Sequence, residues 1–135
     1  MLLPPKDIWR FIRAVGICLV LLVAGSGARV QAGEPAPDLE VFVRAGCPHC
    51  EAAKVFLDEL RRERPSLRIS VRDVAGDSAA RERFEALFAE RGITRLGVPA
   101  FLVGAELIVG FRSADTTGAE IRAGLDRQAP GVSSH

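Results

Sequence analysis

The chain has 135 residues and a mass of 14.5 kDa, enough for one domain with a real core and hardly for a second. Hydrophobic residues make up 48% and charged residues 26%, a balance that excludes an intrinsically disordered chain. The net charge of +1 and a pI of about 7.8 leave no global basic excess of the kind that marks a nucleic-acid partner.

The composition is uneven along the chain. Lys6, Arg10 and Arg13 precede an apolar run from Ala14 to Ala28 that breaks up at Gly25-Ser26-Gly27. Val30-Gln31-Ala32 then sets small or apolar residues at a cleavage site. A basic segment, a short apolar core and a small-residue site together read as a secretory signal over residues 1–32. The run falls short of the roughly 18 apolar residues of a membrane span. Arg29, between core and site, keeps an uncleaved membrane anchor over residues 14–28 as the other reading. Cys18 reads as a small hydrophobe of this segment, since Val15-Gly16-Ile17 lacks the leucine of a lipidation signal, and Trp9 lies in the same segment. Residues 33–135 are then a periplasmic or otherwise exported domain. Its cysteines are Cys47 and Cys50, in a compartment where disulfides persist.

After the lead-in Gly33-Glu34-Pro35-Ala36-Pro37, the run Leu39-Glu40-Val41-Phe42-Val43 predicts a strand, bounded by Gly46. Pro48 stands where a first helical turn accepts a residue without an N–H. Ala53, Phe56, Leu57 and Leu60 follow at helical spacing, and Pro65 ends that helix near Arg64. Leu67, Ile69 and Val71 alternate with Arg68, Ser70 and Arg72, a second strand, which completes a unit of parallel βαβ size.

Ala80, Phe84, Leu87 and Phe88 predict a second helix, capped by Asp77 or Ser78 and stopped at Gly92, with its charges on a solvated face. Ala100-Phe101-Leu102-Val103 and Glu106 to Val109 predict two strands joined tightly through Gly104-Ala105. Thr117 with Glu120 reads as a capping box that opens a last helix with Ile121 and Leu125 inward. Ala129 to His135 reads as a frayed tail. The order is βαβαββα.

The chemistry sits at Cys47-Pro48-His49-Cys50. Two Cys separated by two residues, where a strand runs into a helix, form the dithiol pattern of a redox protein. A helix N-terminus offers unpaired N–H groups and positive potential, which favour a thiolate over a thiol. The spacing puts both sulfurs on one side of the first turn. Cys47, outside the helix, is expected at the surface as nucleophile, and Cys50, one turn in, as the resolving thiol. His49 is expected to tune the dithiol by favouring the Cys47 thiolate. As a plain staple, a disulfide closing so short a loop would contribute only about 2 kcal/mol on the chain-entropy model, against about 3 for a 15-residue loop. A closed zinc site needs four ligands, and His49 is trapped between the cysteines. Haem attachment requires His after the second Cys, where Glu51 stands. Val98-Pro99 opens the third strand, where proline is usually excluded. Alone it reads as an ordinary trans proline; downstream of a CxxC in this strand order it is expected to be cis, with its backbone edge toward the dithiol.

Phe42-Val43-Arg44-Ala45-Gly46-Cys47-Pro48-His49-Cys50, followed by a helix and by Val98-Pro99-Ala100-Phe101-Leu102-Val103-Gly104, resembles the thioredoxin superfamily over residues 38–128. Gly104 and Gly110 resemble glutaredoxins in particular. The Pro-His dipeptide is similar to that of bacterial periplasmic disulfide oxidases, although the stretch between Cys50 and Val98 is too short for the helical insert those carry. The chain departs from thioredoxins at Gly46, where they have Trp. It departs from glutaredoxins at Val98, in place of Thr, and at Gly110-Phe111, in place of Gly-Gly, which leaves glutathione use open. The resemblance implies a minimal thioredoxin-like α/β fold with a central four-stranded mixed sheet. It implies thiol–disulfide exchange with protein thiols or disulfides and with a redox partner protein, and no cofactor. Cys47 and Cys50 would cycle through a Cys47–Cys50 disulfide, Pro48 and His49 would tune them, and Val98 and Pro99 would hold the substrate backbone. The rival readings are a non-enzymatic carrier of a soft metal such as Cu(I) and an interaction domain with a vestigial dithiol.

Overall fold

The computed structural model describes residue 33 and residues 35–129. The signal or anchor segment, with Cys18 and Trp9, and the tail from residue 130 lie outside the described residues. Among the described residues no helix is long and apolar enough to cross a membrane.

The strand Leu39–Val43 (β1) is buried along its whole length, which is why it reads as an almost unbroken apolar run rather than an alternating one. It is hydrogen-bonded on both sides. Ile69–Asp73 (β2) runs parallel to it with Val41 opposite Val71, and Ala100–Val103 (β3) runs antiparallel with Val41 opposite Phe101. Glu106–Val109 (β4) completes a mixed four-stranded sheet in the order β2-β1-β3-β4. The parallel pair requires a crossover, which the helix Pro48–Glu63 (α1) supplies. The antiparallel pair β3–β4 needs only Gly104-Ala105, with Gly104 at φ +61, the left-handed position that begins a two-residue hairpin loop.

Alternation along β1 divides the core. Leu39, Val41 and Val43 face α1 and the helix Thr117–Gln128 (α3), packing with Phe56, Leu57, Leu60, Phe101 and Ile121. Phe42 faces the opposite way, where the helix Ser78–Glu90 (α2) lays Phe84, Leu87 and Phe88 against it and Ala100. The result is three layers, with α1 and α3 on one face of the sheet and α2 on the other. Glu40, the one charged residue of β1, is buried on the α2 face, and its carboxylate takes Arg72 at 3.2 Å and Arg83 at 3.3 Å. A carboxylate removed from water requires such partners.

The predicted element order and nearly all predicted limits hold. Asp77 caps α2, its Oδ1 accepting the N–H groups of Ala79 and Ala80 at 2.9 and 3.2 Å. Two details differ. The second strand begins at Ile69, because Leu67 belongs to the turn after α1 and donates its N–H to Arg64. The capping box at Thr117 and Glu120 does not form. The N-cap of α3 is Thr116, without a side-chain cap bond. The Thr117 hydroxyl is turned back to accept the Arg112 N–H at 3.2 Å, which ties the loop after β4 to the helix start.

Gly124, in the middle of α3, lies flat on β3. A Cβ there would stand 2.8 Å from Cγ1 and 3.3 Å from Cβ of Val103, a buried branched side chain. Helix propensity alone would make Gly124→Ala stabilising by about 1 kcal/mol. Overpacking of this kind costs about 1–3 kcal/mol. The expected outcome is therefore a lower melting temperature for Gly124→Ala, read by thermal unfolding followed by circular dichroism.

Candidate active site

β1 ends at Val43, and the chain turns through Arg44-Ala45-Gly46 into α1. Gly46 has φ +74, the left-handed conformation that a side chain would strain, and it delivers Cys47 as the N-cap residue. Cys47 has extended backbone angles and its carbonyl takes the first helical N–H groups, those of Cys50 at 3.0 Å and Glu51 at 3.1 Å. Its sulfur does what a serine or aspartate oxygen does at other N-caps. Cys47 Sγ accepts the Cys50 N–H at 3.3 Å. Pro48, the first helical residue, lacks only an N–H that would have no partner.

The two thiols therefore differ sharply. The Cys47 thiol is held below its ordinary pKa, chiefly by the Cys50 side chain; burial opposes this next most strongly, and the backbone N–H groups of Cys50 and His49 and the charge of Arg44 add to the lowering. Cys50 is fully buried, and its pKa is pushed up to about 11, chiefly because burial disfavours its thiolate. Both cysteines are free thiols in this structure.

Cys47 is less open than its place outside the helix suggests. Only 9% of its surface is exposed, against none for Cys50, so the predicted order of accessibility holds while the predicted surface position does not. The cover comes from the loop before β3. Val98 O lies 4.0 Å from Cys47 Sγ, the Val98–Pro99 peptide is cis, and Pro99 is buried. The Pro99 carbonyl is taken by the Gly110 N–H at 2.7 Å, which joins the starts and ends of the β3–β4 hairpin at the site. The six residues singled out from the sequence, Cys47, Pro48, His49, Cys50, Val98 and Pro99, thus belong to one locus.

His49 reaches this locus in two ways. Its backbone N–H contributes to the low Cys47 pKa. Its exposed ring directs Nδ1 at the Phe111 carbonyl, 3.2 Å away; a carbonyl only accepts, so Nδ1 carries the proton. Phe111 itself is core, with its ring 5.5 Å from that of Phe56 and 6.1 Å from that of Phe101. The Phe111 carbonyl and the Arg44 charge were not among the sequence-derived site residues. A cation three positions before a CxxC was a readable sign of thiolate support; Phe111 stood out only as a departure from Gly-Gly, and nothing in the sequence links its carbonyl to His49. Among the described residues no group of three or more His, Cys, Asp or Glu side chains gathers as a metal site.

A buried thiol beside a stabilised thiolate at a helix N-terminus, under a cis-proline loop on a four-stranded mixed sheet, defines a thioredoxin-like redox fold. The glutaredoxin family model matches residues 39–108, and the chain belongs to the glutaredoxin family. Among solved structures it is similar to buckwheat glutaredoxin in complex with glutathione, with 22% identity over 67% of this chain and 78% of that one and a TM-score of 0.50. It is also similar to reduced Escherichia coli glutaredoxin, with 26% identity over 65% of this chain and 96% of that one and a TM-score of 0.48. No curated protein sequence matches the chain. Fold and family carry thiol–disulfide redox chemistry in general.

The support that the Cys50 side chain gives to the Cys47 thiolate is open to test. Cys50→Ala removes the side-chain donor and keeps the backbone N–H, whereas Cys50→Ser keeps a donor in place. Ultraviolet thiolate absorbance, followed against pH, is expected to give a higher Cys47 midpoint in Cys50→Ala than in Cys50→Ser.

Proposed function

We propose that this protein is an exported thiol–disulfide oxidoreductase that exchanges disulfides with protein substrates through Cys47 and Cys50. The observation that carries the reading is the asymmetry of the pair: one sulfur with a lowered pKa and slightly accessible, the other with its pKa pushed up to about 11 and sealed behind it. Export rests on the N-terminal sequence, with residues 1–32 as a periplasmic signal or residues 14–28 as an inner-membrane anchor.

The Cys47 thiolate attacks one sulfur of a client disulfide. A Cys47–client disulfide forms, the client S–S bond breaks, and the second client sulfur leaves as a thiolate. Cys50 then gives up its proton to that departing thiolate and attacks Cys47 Sγ. The Cys47–Cys50 disulfide forms, the client is released with both sulfurs reduced, and two electrons have passed from protein to client. Run backwards, the same steps oxidise a client dithiol, and a redox partner protein resets the pair in either case. The stabilised Cys47 thiolate favours the reduced form, which makes the disulfide the more oxidising.

Pro48 sets the first turn that brings the Cys50 N–H onto Cys47. His49 supports the thiolate through its N–H and, through its ring, holds that turn to the Phe111 carbonyl. The backbone of Val98, beside Cys47 Sγ, and Pro99 form the ledge on which a client backbone lies.

The roles of the two cysteines separate in trapping. With the N-terminal segment intact, Cys50→Ser is expected to accumulate mixed disulfides with proteins of the exported fraction, seen as reducible bands on non-reducing gels. Cys47→Ser is expected to accumulate none, because its remaining thiol is buried and protonated. Equal trapping by both variants, or by neither, would contradict the proposal.

A further inference from the structure

Basic side chains of this domain are mostly neutralised where they stand. Arg61, Arg64, Arg68 and Arg122 each meet a carboxylate at 2.8 or 2.9 Å, Glu40 takes Arg72 and Arg83, and Arg81 is occupied by the carbonyls of Val74 and Ala75. Among the described residues, Arg44, Arg62, Arg95 and Arg112 are the cations whose side chains meet neither a carboxylate within 4.0 Å nor a hydrogen-bond acceptor. Arg62 lies at the far end of α1. The other three are exposed, and they sit on segments that meet the Cys47–Cys50 turn.

Arg44 is in the turn that delivers Cys47. Arg95 lies three residues before Val98, whose carbonyl is 4.0 Å from Cys47 Sγ. Arg112 follows Phe111, whose carbonyl holds the His49 ring at 3.2 Å. The charge of Arg44 is felt at the sulfur, where it favours the thiolate. The one carboxylate in the first turn of α1, Glu51, is itself taken by Lys54 at 2.8 Å. Asp73, opposite Val43 in the β1–β2 register, and Asp115, three positions after Arg112, are the carboxylates on these segments, so three cations stand against two there, in a domain, residues 33–135, that holds more acidic than basic side chains.

Apolar surface adjoins the same rim. Leu96 is 49% exposed and Val109 44% exposed. The loop between them is close-packed, since a Cβ on Gly97 would stand 3.0 Å from Cγ1 of Val109. Uncompensated cations beside exposed apolar side chains match an extended peptide that carries both kinds of group.

We propose that the rim formed by Arg44, Arg95 and Arg112, with Leu96 and Val109, is a docking surface for an acidic client segment: a protein stretch in which Asp or Glu residues and one large apolar residue flank the reacting cysteine. The inference rests on the thiol–disulfide exchange proposed above and adds the class of client. Exposed charges act mainly on encounter, raising association rates by roughly 10-fold to 1,000-fold at low ionic strength, and their effect fades as salt screens them.

The test uses the oxidised domain, residues 33–135, and three synthetic peptides that each carry one cysteine beside the same leucine and differ only in flanking Glu, Gln or Lys residues. Stopped-flow rates of reduction of the Cys47–Cys50 disulfide by each peptide are read at low salt and at high salt, with 2-mercaptoethanol as the small neutral thiol. The expected order is Glu over Gln over Lys, with about a 10-fold span at low salt that collapses at high salt. The span is compared at matched thiolate concentration, so that the peptides' own thiol pKa values drop out. The double variant Arg95→Glu/Arg112→Glu is expected to invert the order. Equal rates for the three peptides at low salt, or an order that the double variant leaves unchanged, would overturn the client class while 2-mercaptoethanol still reduces the domain. Failure of 2-mercaptoethanol as well as all three peptides would overturn the exchange reading, and this inference with it.

Discussion

The structure turns on one hydrogen-bonded turn. Cys47 is the N-cap of α1, and its sulfur accepts the Cys50 N–H at 3.3 Å while its carbonyl begins the helix. The N–H that opens the helix on the Cys47 carbonyl at 3.0 Å also reaches the Cys47 sulfur and stabilises negative charge there, so the local folding requirement and the chemical requirement share one donor. An alanine at position 47 would remove the nucleophile and leave the Cys50 N–H on the position-47 carbonyl alone. This economy explains why the site can be built from so few residues: the helix supplies donors that need no side chains.

The remainder of the domain fixes where that turn points. β1 is the central strand, paired on both edges and buried on both faces, so its C-terminal end is anchored against α1, α2 and the two flanking strands together. Positions where the layers touch have no spare room. A Cβ on Gly118 would meet the Phe56 ring at 2.8 Å, and Phe56 packs in turn on Phe111, whose carbonyl holds His49. The start of α3, the middle of α1 and the turn that carries the dithiol are thus joined through Phe56 and Phe111. Gly110, Pro99 and Val98 close the other side, again through backbone groups.

Much of this was legible in the sequence because it depends on local pattern. The β3 and β4 limits, the α2 cap at Asp77 and the end of α1 before Pro65 all follow from residues within a few positions of one another. The dithiol was legible because CxxC at a strand-to-helix junction has few other uses. The features that were not legible depend on distant partners. Thr117 has the spacing of a capping box, but its hydroxyl is claimed by the Arg112 N–H, and the cap falls one residue earlier. Cys47 lies outside the helix, yet a loop distant in sequence covers it. The arginines look alike in the sequence; which of them are neutralised is decided by tertiary pairing, as when Arg122 of α3 reaches Glu63 of α1 at 2.8 Å.

The central claim is that the two thiols ionise far apart, Cys47 as a stabilised thiolate and Cys50 as a buried thiol, and the most direct measurement is the reduction potential of their couple as a function of pH. Each proton taken up with the two electrons adds about 30 mV per pH unit to the slope. The account predicts about 59 mV per unit in acid, where both thiols take protons. The slope should halve at a break below the ordinary free-thiol value of about 8.5, and then hold until Cys50 ionises at about 11. A two-proton slope that continues unbroken to the ordinary thiol range, with both breaks falling together there, would contradict it.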